Sequence, residues 1–252
     1  ELTDPAVRDR IGRGARYAEA HGMGLVMDLD VRLARASFMQ RFPDQLQELV
    51  LVREFSVTAD GEAKLRVESP TFFDHYTHGR NPYAPVGSRL LGVYAYEKAH
   101  GLIKKGSIED ITASSTVATG PDYLDVTVGG APAADGRTLC ALVAVTLNTP
   151  DVFAPDLLDY QREIIRGYKE SGLVGAAKDE WGFPGRVDPP TTDLWFSSAM
   201  AALYKKRNRN RDLTRDLLLM AIGEQGKERE REVAINHYMA INYERNAEIE
   251  TD

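Results

Sequence analysis

Apolar positions change their period along this chain, and each change marks an element. Val7, Ile11, Ala15 and Ala18 recur at helical spacing behind Asp4 as a cap and Pro5 at the first helical position, and Gly22 supplies a stop. Residues 23–28 form a short apolar run that suits a strand buried on both faces and ends in a carboxylate, Asp28, with Asp30 two residues on. Val31, Ala34, Phe38 and Phe42 return to helical spacing, so the opening segment reads helix, strand, helix, the signature of an α/β arrangement.

From about residue 49 the pattern turns to strands, at 49–58, 63–68, 88–96, 111–117, 123–128 and 138–147, separated by glycine, proline and asparagine. Alternating burial is expected within them, with Val50, Val52 and Phe55 inward against Arg53 and Glu54. Residues 69–87 read as a long aromatic loop carrying His75, Tyr76, His78 and Tyr83. Helical spacing resumes after Pro155 through Leu157, Gln161, Ile164, Ile165 and Tyr168, and Gly172 ends it. A second short apolar strand, 173–178, runs into Asp179-Glu180-Trp181-Gly182, repeating the earlier order of helix, glycine, strand and terminal acid. Helices are expected at 197–206, at 213–222 and from about 228 to the end.

The fold class predicted is α/β: an incomplete (β/α) TIM-type barrel with an inserted antiparallel β module. Its parts are a first barrel segment at 1–46, the β module at 47–148 and a second α/β and helical barrel segment at 149–252. A complete barrel of this kind takes about 250 residues. The inserted module leaves too few for closure, and the open edges then call for a second copy of the chain or for the remaining strands.

Composition narrows the function classes. The 252 residues are 43% hydrophobic and 27% charged, with a net charge of −7, which disfavours a nucleic-acid partner; the basic stretch 205–211 is short. No window approaches the ~18 apolar residues of a membrane span, and the first residues lack the basic and apolar regions of a signal peptide. A soluble protein, cytoplasmic or secreted, is expected. Cys140 is the single cysteine, so neither an internal disulfide nor a cysteine-based metal site is expected. His75 and His78 lack a third ligand; no metal and no cofactor are assigned.

Acids at the carboxyl ends of parallel strands sit where such sheets bind ligands. If strands 23–28 and 173–178 are neighbours, Asp28 and Glu180 face one cavity, and two carboxyls in a cleft divide the acid and base work of glycosidic cleavage. Lys178, Asp30 and Arg32 are the polar substrate contacts expected beside them. Trp181, Trp195 and Tyr76 offer aromatic faces to sugar rings. Structural roles compete at several of these positions: Asp30 as a cap for the following helix, Asp28 as a partner of Arg32 or Arg35, and the tryptophans as core residues.

Residues 24–35, 152–155, 178–184 and 234–238 together resemble uncharacterised bacterial TIM-barrel proteins related to glycoside hydrolases. The resemblance implies a central fragment of a longer barrel enzyme with a β-sandwich-like insertion. It also implies Glu180 as the acid/base, and a carbohydrate substrate. Residues 25–30, Leu-Val-Met-Asp-Leu-Asp, also look like the first motif of haloacid-dehalogenase-type phosphatases, which implies Asp28 as nucleophile, Asp30 as acid/base and magnesium between them and the phosphate. A third class is a non-catalytic carbohydrate-binding or scaffold protein.

Overall fold

The computed structural model describes residues 1–56, 63–69, 85–120, 123–129, 137–177 and 193–251. The helices are α1 (Pro5–Ala20), α2 (Arg35–Arg41), α3 (Leu157–Gly167), α4 (Ser198–Arg207), α5 (Leu213–Ala221) and α6 (Glu228–Thr251). The strands are β1 (Val26–Asp28), β2 (Leu46–Phe55), β3 (Ala63–Glu68), β4 (Pro85–Tyr96), β5 (Lys98–Ala99), β6 (Leu102–Ile103), β7 (Glu109–Asp110), β8 (Ser115–Thr119), β9 (Tyr123–Val128), β10 (Thr138–Pro150), β11 (Gly175–Ala177) and β12 (Asp193–Phe196). The chain divides into two compact units, one of residues 1–47, 148–185 and 245–252, the other of 48–147 and 186–244.

In the first unit, α1 starts where its chemistry says it should: Ala6 N donates to Asp4 Oδ1 at 2.8 Å and Pro5 occupies the first turn. Gly22, at φ +71°, reverses the chain after it. β1 then pairs in parallel with β11, Val26 opposite Gly175, Met27 opposite Ala176 and Asp28 opposite Ala177. A β-carbon on Gly24 would come within 2.7 Å of Val174 Cγ2, so glycine lets the two segments enter this pairing closely without displacing the Val174 side chain. Phe38, Leu157, Tyr160 and Ile164 are fully buried or nearly so, and the Phe38 and Tyr160 rings meet edge to face at 5.2 Å.

The second unit is built on antiparallel pairing. A five-stranded sheet has the order β12-β2-β10-β4-β7, and β3-β9-β8 forms a second sheet. The pairs β12 with β2, β4 with β10, β4 with β7, and β9 with both β3 and β8 all run antiparallel. In β9 Leu124, Val126 and Val128 are buried while the intervening residues are half-exposed, the alternation of a sheet covered on one face.

These observations overturn the incomplete TIM-type barrel. Its defining feature is a succession of parallel strands joined by helices, whereas the described residues contain one parallel pair, of three residues each. The long apolar strands β4 and β10 satisfy their backbones antiparallel to one another, with no α-helix between them among the described residues to turn the chain parallel. The expected alternation in β2 also fails. Residues 46–52 are buried without a break, because β2 lies inside the sheet between β12 and β10, after which Glu54 is exposed and Arg53 and Phe55 are both half-buried. Among the described residues no helix is long and apolar enough to cross a membrane.

Candidate functional site

The carboxyl edge of β1 is where the structure places the predicted acids that it describes. Asp28 is half-buried at the last position of β1, and its Oδ1 accepts from Asp30 N at 3.1 Å, a side-chain turn that bends the chain out of the strand. Asp30 is 2% exposed. Its Oδ1 caps the 3-10 turn Val31–Ala34 by accepting from Arg32 N at 2.7 Å, and its Oδ2 accepts from Arg32 Nε at 2.7 Å. Asp30 and Arg32 are therefore bound to each other as cap and counter-ion, the structural role expected of Asp30. Gln161 of α3 locks the same turn from the other side: its Oε1 accepts from Val31 N at 2.8 Å and its Nε2 donates to Leu29 O at 2.6 Å. Gln161 appears in the sequence as one more position of a helical stripe, and its polarity within that stripe is the signal that it serves backbone groups.

The parallel register sets the end of β11 level with Asp28, since Ala177 is the partner of Asp28. Lys178, Glu180 and Trp181 follow Ala177 in the chain and lie outside the described residues, as do Tyr76, Tyr83, His75 and His78. Trp195 belongs to the second unit. It sits in β12 with 9% of its surface exposed, and its carbonyl accepts from Tyr238 Oη at 2.9 Å, the setting of a core tryptophan.

Other ionisable groups in the second unit serve the sheet. Arg53 grips Asp193 with two nitrogens and Arg89 grips Glu48 the same way, at 2.7 and 2.8 Å. Cys140 is fully buried, and burial pushes its thiol up to about 12, so it is not a nucleophile in the folded protein. A cleft of about 270 Å³ is lined by Arg215, Glu224, Lys227 and apolar residues of α5. Glu224 there is held by Gly106 N at 3.0 Å and Lys227 Nζ at 2.8 Å.

One cluster was not anticipated from the sequence. Arg207, Arg209 and Arg211, with Asn208, Val233 and His237, line a cavity of about 470 Å³ after α4. The alternate spacing of its arginines is the only trace it leaves in the sequence, where it reads as a short basic run.

Comparison with known protein families, with curated proteins and with solved structures finds no match for this chain.

Proposed function

We propose that this protein cleaves a glycosidic bond at the common carboxyl edge of β1 and β11, with Glu180 as general acid/base and Asp28 as nucleophile or base. The observation that supports it is the parallel register, in which segments about 150 residues apart in sequence end side by side, Asp28 opposite Ala177. This chemistry needs two carboxyls across one bond, one protonated for the leaving oxygen and one ionised; a closed barrel is not part of the requirement. Locking of the β1 exit by Gln161 and by the Asp30 cap supplies the rigidity that a positioned carboxylate demands.

The phosphatase reading is less well supported, because it asks Asp30 to move a proton, and both Asp30 oxygens are taken by Arg32. The test is a glycan panel and a phosphoester panel run with and without a chelator on the full chain. Glycan cleavage indifferent to chelator, reduced about 10²- to 10⁴-fold by Glu180→Gln, is expected. Turnover confined to phosphoesters and abolished by chelation overturns the reading. Glycan binding without cleavage, unaffected by Glu180→Gln, replaces it with the binding class.

A further inference from the structure

The turn after α4 has a backbone that its sequence does not favour. Arg209 and Asn210 have φ of +53° and +64°, two successive residues in the left-handed region with no glycine between them. Asn210 N reaches back to Lys205 O at 3.0 Å and Arg211 N to Asn208 O at 3.1 Å, so the turn is closed by its own backbone. Its consequence is that the side chains of residues 207, 208, 209 and 211 all line one cavity, facing Val233 and His237 of α6.

The charges around this cavity are unevenly matched. Arg211 is fixed by Asp216, which accepts from its Nε at 2.8 Å and from its Nη2 at 2.6 Å and also from the buried Tyr204 hydroxyl at 2.6 Å. Arg207 pairs with Glu244. Arg209 has no ion pair among the described residues, and Lys205 and Lys206 add further positive charge in the last turn of α4. Asn208 is 9% exposed, yet its amide Nδ2 has no hydrogen-bond partner; neither has the buried Nδ1 of His237. Buried polar groups are rarely left so, and here both belong to residues that line one cavity beside an unneutralised guanidinium. The cluster is short of an acceptor.

We infer that this cavity is a binding site for a small molecule bearing a phosphate group. An anion with several oxygens accepts from Arg209 and takes up the Asn208 amide and the His237 ring nitrogen in its donor form, which a single carboxylate with two oxygens does less completely. The negative end of α4 opposes an anion at this position, and Lys205, Lys206 and Arg207 of its last turn offset that. The volume of about 470 Å³ leaves room for an organic body behind the phosphate and falls in the range of small-molecule sites, roughly 300–1,000 Å³. This inference is independent of the glycosidase reading, which concerns the other unit.

The test is calorimetric titration of the full chain with inorganic phosphate, glucose 6-phosphate and glucose. Saturable binding of inorganic phosphate, and tighter binding of glucose 6-phosphate, are expected, with none for glucose. Arg209→Gly is the decisive variant, because glycine adopts the left-handed conformation freely and the fold is kept while the cation is removed. It should weaken phosphate binding about tenfold or more, whereas Arg10→Gln, on the exposed face of α1, should leave it unchanged. Binding of glucose as tight as that of its phosphate overturns the inference. So does equal loss in both variants, the mark of a non-specific charge effect, and so does an Arg209→Gly protein that binds phosphate like the parent. No saturable binding of either phosphate at millimolar concentration also overturns it.

Discussion

The turn that leaves β1 and the turn that leaves α4 solve the same problem in opposite ways. Each must redirect the chain sharply after a regular element. At residues 28–32 side chains do the work: Asp28 and Asp30 accept from backbone nitrogens, Arg32 neutralises Asp30, and Gln161 takes up one donor and one acceptor of the main chain. At residues 208–211 the backbone does it, through two left-handed residues, and the side chains are released to line a cavity. A turn made by side chains is saturated by its own making. One made by strained backbone leaves polar groups available, and these are the groups that a ligand can use.

The strongest way to break this contrast is to remove Asp216, the side chain that fixes Arg211 at the end of the arginine turn. Asp216 is buried and accepts from both Tyr204 and Arg211, which also holds the Arg211 guanidinium above its ordinary range. Asp216→Ala strands a charge and a hydroxyl and is expected to cost about 3 kcal/mol, the low end for a broken buried pair because the Arg211 side chain is 29% exposed. Cys140 provides the readout within the same unit: its buried, protonated thiol reacts with a thiol reagent at neutral pH only when its sheet opens, so labelling should accelerate in the variant. An unchanged labelling rate would show that the turn holds itself without Asp216.

Gln161 is the corresponding anchor of the first turn. Gln161→Leu leaves Val31 N and Leu29 O without their partner, and a loss of about 2 kcal/mol follows from stranding two backbone groups that water partly reaches. Hydrogen exchange at Val31 should lose its protection. If glycan cleavage is found, the same variant should lower it by displacing Asp28. Asp30→Ala removes a cap and the buried counter-ion of Arg32, whose side chain is 27% exposed, so about 2 kcal/mol is expected, and Asp30→Asn should recover the capping part of it because the amide oxygen still caps. Equal costs for Asp30→Asn and Asp30→Ala would mean that the ion pair with Arg32, which both substitutions remove, outweighs the cap in this turn.

The two turns also differ in how far a sequence discloses them. Asp-Leu-Asp-Val-Arg announces a capped turn, since the side chains that make it are those that caps require, whereas the two apolar runs that both end in acids leave open whether they are neighbours, and the structure supplies the pairing of β1 with β11. The barrel inferred from those runs was wrong because a short apolar strand carries no record of its neighbours. β2 and β10 are as apolar as barrel strands and sit in a five-stranded sheet whose described pairs run antiparallel. β12 leaves no periodic signal in the sequence because four residues, Asp193–Phe196, are too few to show one. The hairpin of β5 and β6 turns on His100 and Gly101, at φ +54° and +81°, where an Asn-Gly pair is the usual signal. The arginine cavity stayed hidden for the same reason, as Arg-Asn does not advertise a left-handed turn.

The smallest effect is the one that separates a ligand site from a merely awkward turn. Holding Arg209 at φ +53° costs about 1–2 kcal/mol relative to a residue free to adopt it. Glycine relieves this, but it also raises the entropy of the unfolded chain by about 0.5–1 kcal/mol. The net expectation for Arg209→Gly without ligand is therefore a gain of about 0.5 kcal/mol in urea denaturation. Asn210→Gly should give nearly nothing, because asparagine already tolerates the left-handed region. Added phosphate should reverse the order, stabilising the parent protein and leaving Arg209→Gly behind. A loss of stability in Arg209→Gly without ligand would mean that the arginine side chain supports the turn from within, and the contrast between a saturated turn and one with groups to spare would fail at the residue where it is sharpest.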